Sequence, residues 1–273
     1  MAARSNSIKD WRKRIHQLVG GGLAFLVYLF LLAPSIIVIP ISFGSKYELK
    51  FPPTEYSLDL YRIFFSTEAW TQPLFLSFRV ALATTFIATV IAVPAAYAMV
   101  RFEFAGKKLL IGLIMSPLVV PSVVFALGIY LYFSYLKLTG TATGLIIAHT
   151  MFVLPYTMVI VSAGIQKLDP NLEFGAMLMG AGRFRMLMTV VLPQLYPSIG
   201  AGALFAFLIS FDEVVISWFL AGPTTTTLSV KMFSAIQWEI SPVIAAVSTI
   251  LTVLSLIVCL VNVALQKNTE IQN

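Results

Sequence analysis

Six stretches of the chain carry no Asp, Glu, Lys or Arg: residues 15–45, 80–100, 109–136, 138–166, 186–211 and 240–266. A helix needs about 20 apolar residues to cross the roughly 30 Å hydrocarbon core of a bilayer. Each stretch is long enough. Inside lipid the backbone must satisfy its own polar groups, which a helix does within one segment. The pattern therefore predicts an all-α polytopic membrane protein: one transmembrane domain over residues 1–273, with six transmembrane helices surrounded by lipid. Residues 214–230 are also uncharged, but Gly222-Pro223 and four threonines at 224–227 interrupt them. Their start reads as the end of helix five and the rest as an outer loop. The basic residues Arg4, Lys9, Arg12, Lys13 and Arg14 before the first stretch suit the start of a signal peptide. The apolar run after them exceeds the ~7–15 residues of such a signal and has no small-x-small cleavage site. It reads as a retained anchor.

Composition agrees. The chain is 59% hydrophobic and 11% charged, with a mean hydropathy of +0.90. Soluble domains are about 45–50% apolar and about 25% charged. These values exclude a soluble enzyme, a disordered chain and a nucleic-acid binder. Cys259 is the single cysteine, so there is neither a disulfide framework nor a cysteine-based metal site. The net charge of +6 is explained by the excess of basic residues on the cytoplasmic side of membrane proteins. With the N-terminus inside, twelve of the 18 Lys and Arg residues fall on inner segments. Lys46, Lys50, Arg62, Lys137 and Lys231 fall outside, and Arg79 sits at the mouth of helix two. This predicts an N-in/C-in topology. The outer segment 44–72 carries Pro52-Pro53 and the acids Glu48, Glu55, Asp59 and Glu68; Tyr61, Phe64 and Phe65 predict a short amphipathic helix within it.

The cytoplasmic loop 166–196 reads QKLDPNLEFGAMLMGAGRFRMLMTVVLPQLY. Asp169-Pro170 is a helix start, since Asp caps free amides and Pro is tolerated at the first helical position. Two helical turns follow from Leu172 to Met179. Gly180 and Gly182 end them, because glycine accepts the left-handed conformation of a helix stop. A second short helix is predicted from Arg183 to Pro193. Leu172, Phe174, Met177, Leu178 and Met179 crowd the first helix although the loop faces water. A patch of this kind marks either a helix docked into a partner groove or one lying flat on the membrane surface.

This segment resembles the EAA loop of inner-membrane permease subunits of type I ABC importers, whose pattern is E-A-A, three residues, G, nine residues, I-x-L-P. Phe174-Gly175-Ala176 occupies the E-A-A positions, Gly180 the glycine, and Val190-x-Leu192-Pro193 the ending; Asp169-Pro170 and Glu173 also fit. Ser210-Phe211-Asp212-Glu213, Ala221-Gly222-Pro223, Thr226-Thr227-Leu228 and Ser241-Pro242 are similar to the spermidine/putrescine branch of these permeases, which also includes carriers of other small organic solutes such as amino-acid derivatives, opines or organophosphonates. The resemblance implies half of a translocation pathway in a bacterial inner membrane. It also implies a second permease subunit, two ATP-binding subunits and a periplasmic or extracellular substrate-binding protein as partners. ATP would be bound by the partner, with no cofactor on this chain; no G-x-x-x-x-G-K-[S/T] phosphate cradle occurs in it. Residues 166–196 would be the coupling loop through which ATP-driven motion produces alternating access. Asp169, Leu172, Glu173, Phe174, Gly175, Ala176, Met177, Gly180, Leu192 and Pro193 would be its ATPase-coupling residues. Phe174 stands where the family has its acid. Glu173 is one residue away and so turned by about 100° on a helix, which shifts the expected docking toward apolar contact.

Counted from a helix start near Pro197, Asp212 and Glu213 lie in the outer third of the membrane. Two acids there are costly unless they meet water, a partner or a cation. They either line the substrate pathway for a cationic amine, with Phe211 and Trp218 as aromatic walls, or cap a helix end and pair with a base such as Arg79. His149, beside Thr150, reads as a hydrogen-bonded packing histidine rather than a metal ligand. Trp70, Trp218 and Trp238 suit interfacial belts. Pro94, Pro117, Pro121 and Pro155 predict kinks in helices two, three and four, and Gly200 and Gly202 close helix contact. An ion-coupled secondary transporter is the main rival, and it would show inverted repeats. An intramembrane enzyme would show H-E-x-x-H, G-x-S-x-G or paired acids on separate helices. The chain displays none of these signatures.

Overall fold

The apolar runs fold as helix throughout the described chain. A computed structural model describes the backbone of residues 2–47, 49–239 and 241–271, and the side chains of 20–47, 49–238 and 241–257. The side chains of Arg4, Lys9, Arg12, Lys13, Arg14, Glu48, Cys259 and Lys267 lie outside the described residues. In chain order the helices are α1 Ala2–Ile41, α2 Asp59–Ser66, α3 Glu68–Arg101, α4 Lys107–Val119, α5 Ser122–Tyr135, α6 Ala142–Lys167, α7 Pro170–Leu178, α8 Arg183–Met186, α9 Leu192–Asp212, α10 Val215–Leu220, α11 Leu228–Ser234 and α12 Val243–Ile271. Single π-helical turns occupy Leu187–Val191 and Ala235–Glu239. The chain divides into two compact units, Met1–Thr67 with Ile240–Asn273, and Glu68–Glu239.

Among the described residues four helical segments are long and apolar enough to cross a membrane: Gly20–Ile41, Glu68–Arg101, Ala142–Lys167 and Arg183–Asp212. The third expected span is not one straight helix. It is the pair α4 and α5, bent by 111°. At ~1.5 Å per residue each arm is only about 20 Å long, short of the hydrocarbon thickness. The break falls at Val120-Pro121. Val120 is extended (ψ 130°), as the ring of a following proline requires, and Pro121 then opens α5. Counting the pair as one span gives five; Val243–Ile257 is a shorter apolar helix.

Two boundaries also move. The second span begins at Glu68, so Arg79 lies inside α3, not at its mouth, and the outer segment ends before Gln72. The fifth begins at Arg183, well before Pro197. There is no separate helix from Arg183 to Pro193. Pro193 lacks the N–H that would close the α-helical ladder, and the chain passes through the π turn instead, with the Leu192 N–H on the Leu187 carbonyl. Side chains occupy two nearby carbonyls: Thr189 Oγ1 donates to Arg185 O and Gln194 Nε2 to Val190 O, each at 2.7 Å. α8, the π turn and α9 thus form one continuous helix.

In the first unit, α12 packs on α1 and α2. The expected amphipathic helix is α2: Leu60 and Phe64 are buried, and the Tyr61 and Ser42 hydroxyls meet at 2.7 Å. Along Gly20–Ile41 the apolar side chains face outward, none of that window being buried, which suits a lipid-facing helix.

The second unit is built on α3, α6 and α9, which pack against one another. Ala88, Ala92 and Ala96 are fully buried one turn apart on α3, and such small side chains let backbones approach. Gly202 meets Thr157 and Val161 of α6, where an added Cβ would lie 3.3 Å from Thr157 Cγ2. Gly200 does not share this role, since nothing lies within 4 Å of its Cβ position. Gly164 does, because a Cβ there would fall on the Ser198 side chain. Gly164→Leu is therefore expected to overpack the α6–α9 contact, at about 1–3 kcal/mol or more. The melting temperature of the detergent-extracted protein reads this directly. Gly200→Leu should leave it unchanged, and equal melting of the two variants would contradict the packing account.

Candidate functional site

The loop between α6 and α9 holds α7 by local chemistry legible residue by residue. Asp169 Oδ1 accepts from the Asn171 N–H at 2.9 Å, and Pro170 occupies the first turn. The helix ends in a Schellman motif. Gly180 is left-handed (φ +87°), its N–H donates to Met177 O, and the Ala181 N–H donates to Ala176 O, both at 3.0 Å. Gly182, by contrast, is extended (φ −66°, ψ 159°) and opens α8. One glycine stops the helix and the other starts the next.

α7 has two faces. Phe174 is 60% exposed, Leu178 89% and Met179 91%. Leu172 and Met177 of α7 and Phe184 of α8 are exposed as well. The opposite side carries Ala176, packed against the cluster of Ala96, Tyr97, Val161, Ile165 and Met186. Gly175 has no neighbour within 4 Å of its Cβ position, Leu192 is half-buried and Pro193 is exposed.

Glu173 does not join the exposed face. It is 8% exposed and points into the protein. Its Oε2 accepts from the Tyr97 hydroxyl at 2.6 Å, and its Oε1 from Arg101 Nε at 2.8 Å. Arg101 Nη2 reaches the same Oε1 at 2.8 Å and also donates to Leu168 O at 3.1 Å. Sequence reasoning offers no signal for this arrangement, because its partners lie 72 and 76 residues away. Beside it opens an apolar cavity of about 980 Å³, bordered by Tyr97, Arg101, Phe174, Met177, Met186 and Leu195.

The second group of singled-out residues lies where α9 ends. Asp212 is the last residue of α9 and is exposed. Glu213 caps the next helix: its Oε1 accepts from the Ile216 N–H at 3.0 Å, and its carbonyl accepts from Ser229 Oγ at 3.1 Å. Among the described residues no ion pair joins Arg79 to either acid. Phe211 stacks on Phe207 (5.7 Å, 25°) and meets Phe78 edge-on at 5.1 Å. Trp218 packs instead against Phe233 at 5.2 Å, so the two aromatics belong to different clusters.

His149 is fully buried, with Nδ1 2.9 Å from Ser210 Oγ and Nε2 3.0 Å from Ser217 Oγ. Both ring nitrogens are used in packing, and no metal-binding group of three His, Cys, Asp or Glu occurs among the described residues. Trp70 is buried, with Lys231 Nζ 5.4 Å from its ring centre.

Comparison with known proteins places this geometry in context. The family model described as "Binding-protein-dependent transport system inner membrane component" matches residues 88–270. The spermidine/putrescine transport system permease protein PotC of Escherichia coli (strain K12) is 30% identical over 244 residues, covering 89% of this chain and 92% of that protein. The putrescine transport system permease protein PotI of the same strain is 30% identical over 237 residues, covering 84% of each. The fold matches a chain in the crystal structure of a bacterial ABC transporter involved in the import of the acidic polysaccharide alginate. That match has a TM-score of 0.71 at 15% identity, over 94% of this chain and 97% of the other. A second structure of the alginate transporter, with its alginate pentasaccharide-bound periplasmic protein, gives 0.71 at 17% identity, over 92% and 93%.

Proposed function

From a chain that belongs to the family of binding-protein-dependent transport system inner membrane components, and is thus the permease component of an ABC importer, we propose a subunit that carries polyamines inward by alternating access. The solute class rests on the two E. coli relatives, named for spermidine and putrescine transport. The rest of the reading covers six spans, N-in/C-in, in a bacterial inner membrane. The bent pair α4–α5 then serves as the third span and α12 as the sixth. The chain works beside a second permease subunit, two ATP-binding subunits that hold the nucleotide, and a substrate-binding protein on the outer side.

One observation carries the coupling role: α7 presents Phe174, Leu178 and Met179 outward on a helix capped at both ends. A rigid, apolar helix of this kind seats in a groove of an ATP-binding subunit, and the motion of that subunit then biases the two states of the membrane helices. With Glu173 turned inward, the docking is apolar.

At the far end of α9, Asp212 is the acid free to meet a cationic solute, while Glu213 is engaged in capping α10. A carboxylate beside the aromatic cluster of Phe78, Phe207 and Phe211 attracts an ammonium group by charge and by the ring faces. Asp212→Asn is expected to cut putrescine uptake by about tenfold, on the order of 1.4 kcal/mol, with Glu213→Gln acting through stability instead. Labelled putrescine and spermidine uptake in cells lacking their own polyamine importers tests the whole reading. No uptake with the complete transporter present would remove polyamines as the substrate.

A further inference from the structure

Glu173, Arg101, Tyr97 and the Leu168 carbonyl form a joint. Three elements meet in it: the cytoplasmic end of α3, the linker from α6, and α7. Both carboxylate oxygens are occupied, and two guanidinium nitrogens reach the same oxygen at 2.8 Å. The arginine then ties in the linker backbone at 3.1 Å. The pair is mostly shielded, with side-chain exposures of 16% for Arg101 and 11% for Glu173. Charges removed from water in this way are held by their geometry, and removing one leaves the other uncompensated.

The location gives the joint its meaning. α7 is flanked by extended Leu168 and Asp169 on one side and left-handed Gly180 on the other. Without the joint, α7 keeps the packing of Ala176 and its turn to α8 but loses its hydrogen-bonded tie to α3. A push on its outer face would then reach α8 and not the end of α3. Arg101 is the last residue of α3, a 34-residue helix that packs against both α6 and α9. We propose that Glu173 is a positioning residue that locks α7 to α3 through Arg101 and Tyr97, so that displacement of α7 is delivered to α3 as a rigid-body movement. Glu173 thus works inside this chain, not at the surface that meets the ATP-binding subunit. The inference rests on the permease reading above and adds the route by which force leaves α7.

The test uses the assembled transporter with its ATP-binding subunits, with Cys259 replaced by serine so that labels can be placed at will. Spin labels at Asn171 on α7, away from the docking side chains, and Val90 on α3, both exposed, report the spacing of the two helices. In the parent, one narrow distance is expected, unchanged when ATP is added. In Glu173→Gln the distribution is expected to broaden and to shift with ATP. Putrescine uptake should fall at least tenfold while ATP hydrolysis stays within twofold of the parent, which simple unfolding would not produce. The exchange Arg101→Glu with Glu173→Arg should recover part of the uptake. Tyr97→Phe, which keeps the ring and loses one donor, should show a smaller change of the same kind. Parent-like distances in Glu173→Gln would overturn the proposal. So would loss of assembly in both Glu173→Gln and Tyr97→Phe, which would make the joint a folding element only. If the parent itself neither assembles with an ATP-binding subunit nor hydrolyses ATP, the permease reading fails instead. If the parent hydrolyses ATP but takes up no putrescine, only the solute is wrong, and the distances still decide the joint.

Discussion

Gly180→Val is expected to abolish uptake while the protein still reaches the membrane in normal amount. The backbone at Gly180 has φ +87°, a region costly for any side chain and most of all for a β-branched one. The penalty is about 1–3 kcal/mol, small against the packing of α3, α6 and α9, so the fold survives. What fails is local. The Schellman bonds from Gly180 to Met177 and from Ala181 to Ala176 require that left-handed residue. Without them the last turn of α7 frays, and α7 loses its fixed angle to α8. No neighbour lies within 4 Å of the Gly180 Cβ position, so crowding is not the cause. Gly180→Asn, which tolerates left-handed geometry better than valine, is expected to keep part of the activity. Membrane abundance by immunoblot and solute uptake are the two measurements. A valine variant that transports normally would remove the fixed turn from the mechanism.

The second large effect is expected on the outer face of α7. Replacing Phe174, Leu178 and Met179 together with alanine should release the ATP-binding subunit during purification. Full burial of each such side chain contributes about 1.5–3 kcal/mol. Because Phe174 is already partly covered, the sum lost on docking is about 4–6 kcal/mol. That corresponds to roughly 10³- to 10⁴-fold weaker association. The three side chains are highly exposed in the free chain, so the variant should fold as the parent does and melt within a degree or two of it. An unchanged ratio of ATP-binding subunit to permease after affinity purification would contradict apolar docking. Retained association with lost membrane-surface contact would instead favour the alternative, a helix lying flat on lipid headgroups.

These two experiments draw on different kinds of information. The cap at Asp169, the proline after it and the stop at Gly180 were legible because each acts on its immediate neighbours. Hydrophobic length likewise announced the long apolar helices, since a run of apolar residues must be helical in lipid whatever surrounds it. The failures share a cause. The sharp bend between α4 and α5 turns on Val120-Pro121, while Pro94 and Pro155 lie within continuous helices, so proline alone does not say which helix breaks. The fifth span began early because Pro193 was accommodated by a π turn with Thr189 and Gln194 on spare carbonyls, a solution that depends on those side chains reaching back. Gly164, not Gly200, is the tight contact, because crowding depends on the facing helix. The two acids at the end of α9 left two readings open. Their separation came only when Glu213 was seen capping α10 while Asp212 stayed exposed.

Membrane residence, helical class and the short capped helix between two spans follow from composition, run length and nearest-neighbour chemistry, and those are properties of the chain as a string. The inward turn of Glu173, the joint it makes with Tyr97 and Arg101, and the burial of Trp70 and His149 are set by partners far along the chain. Side chains separated by 61 to 76 residues meet only after the helices have packed, and no local pattern encodes which of them will be opposite.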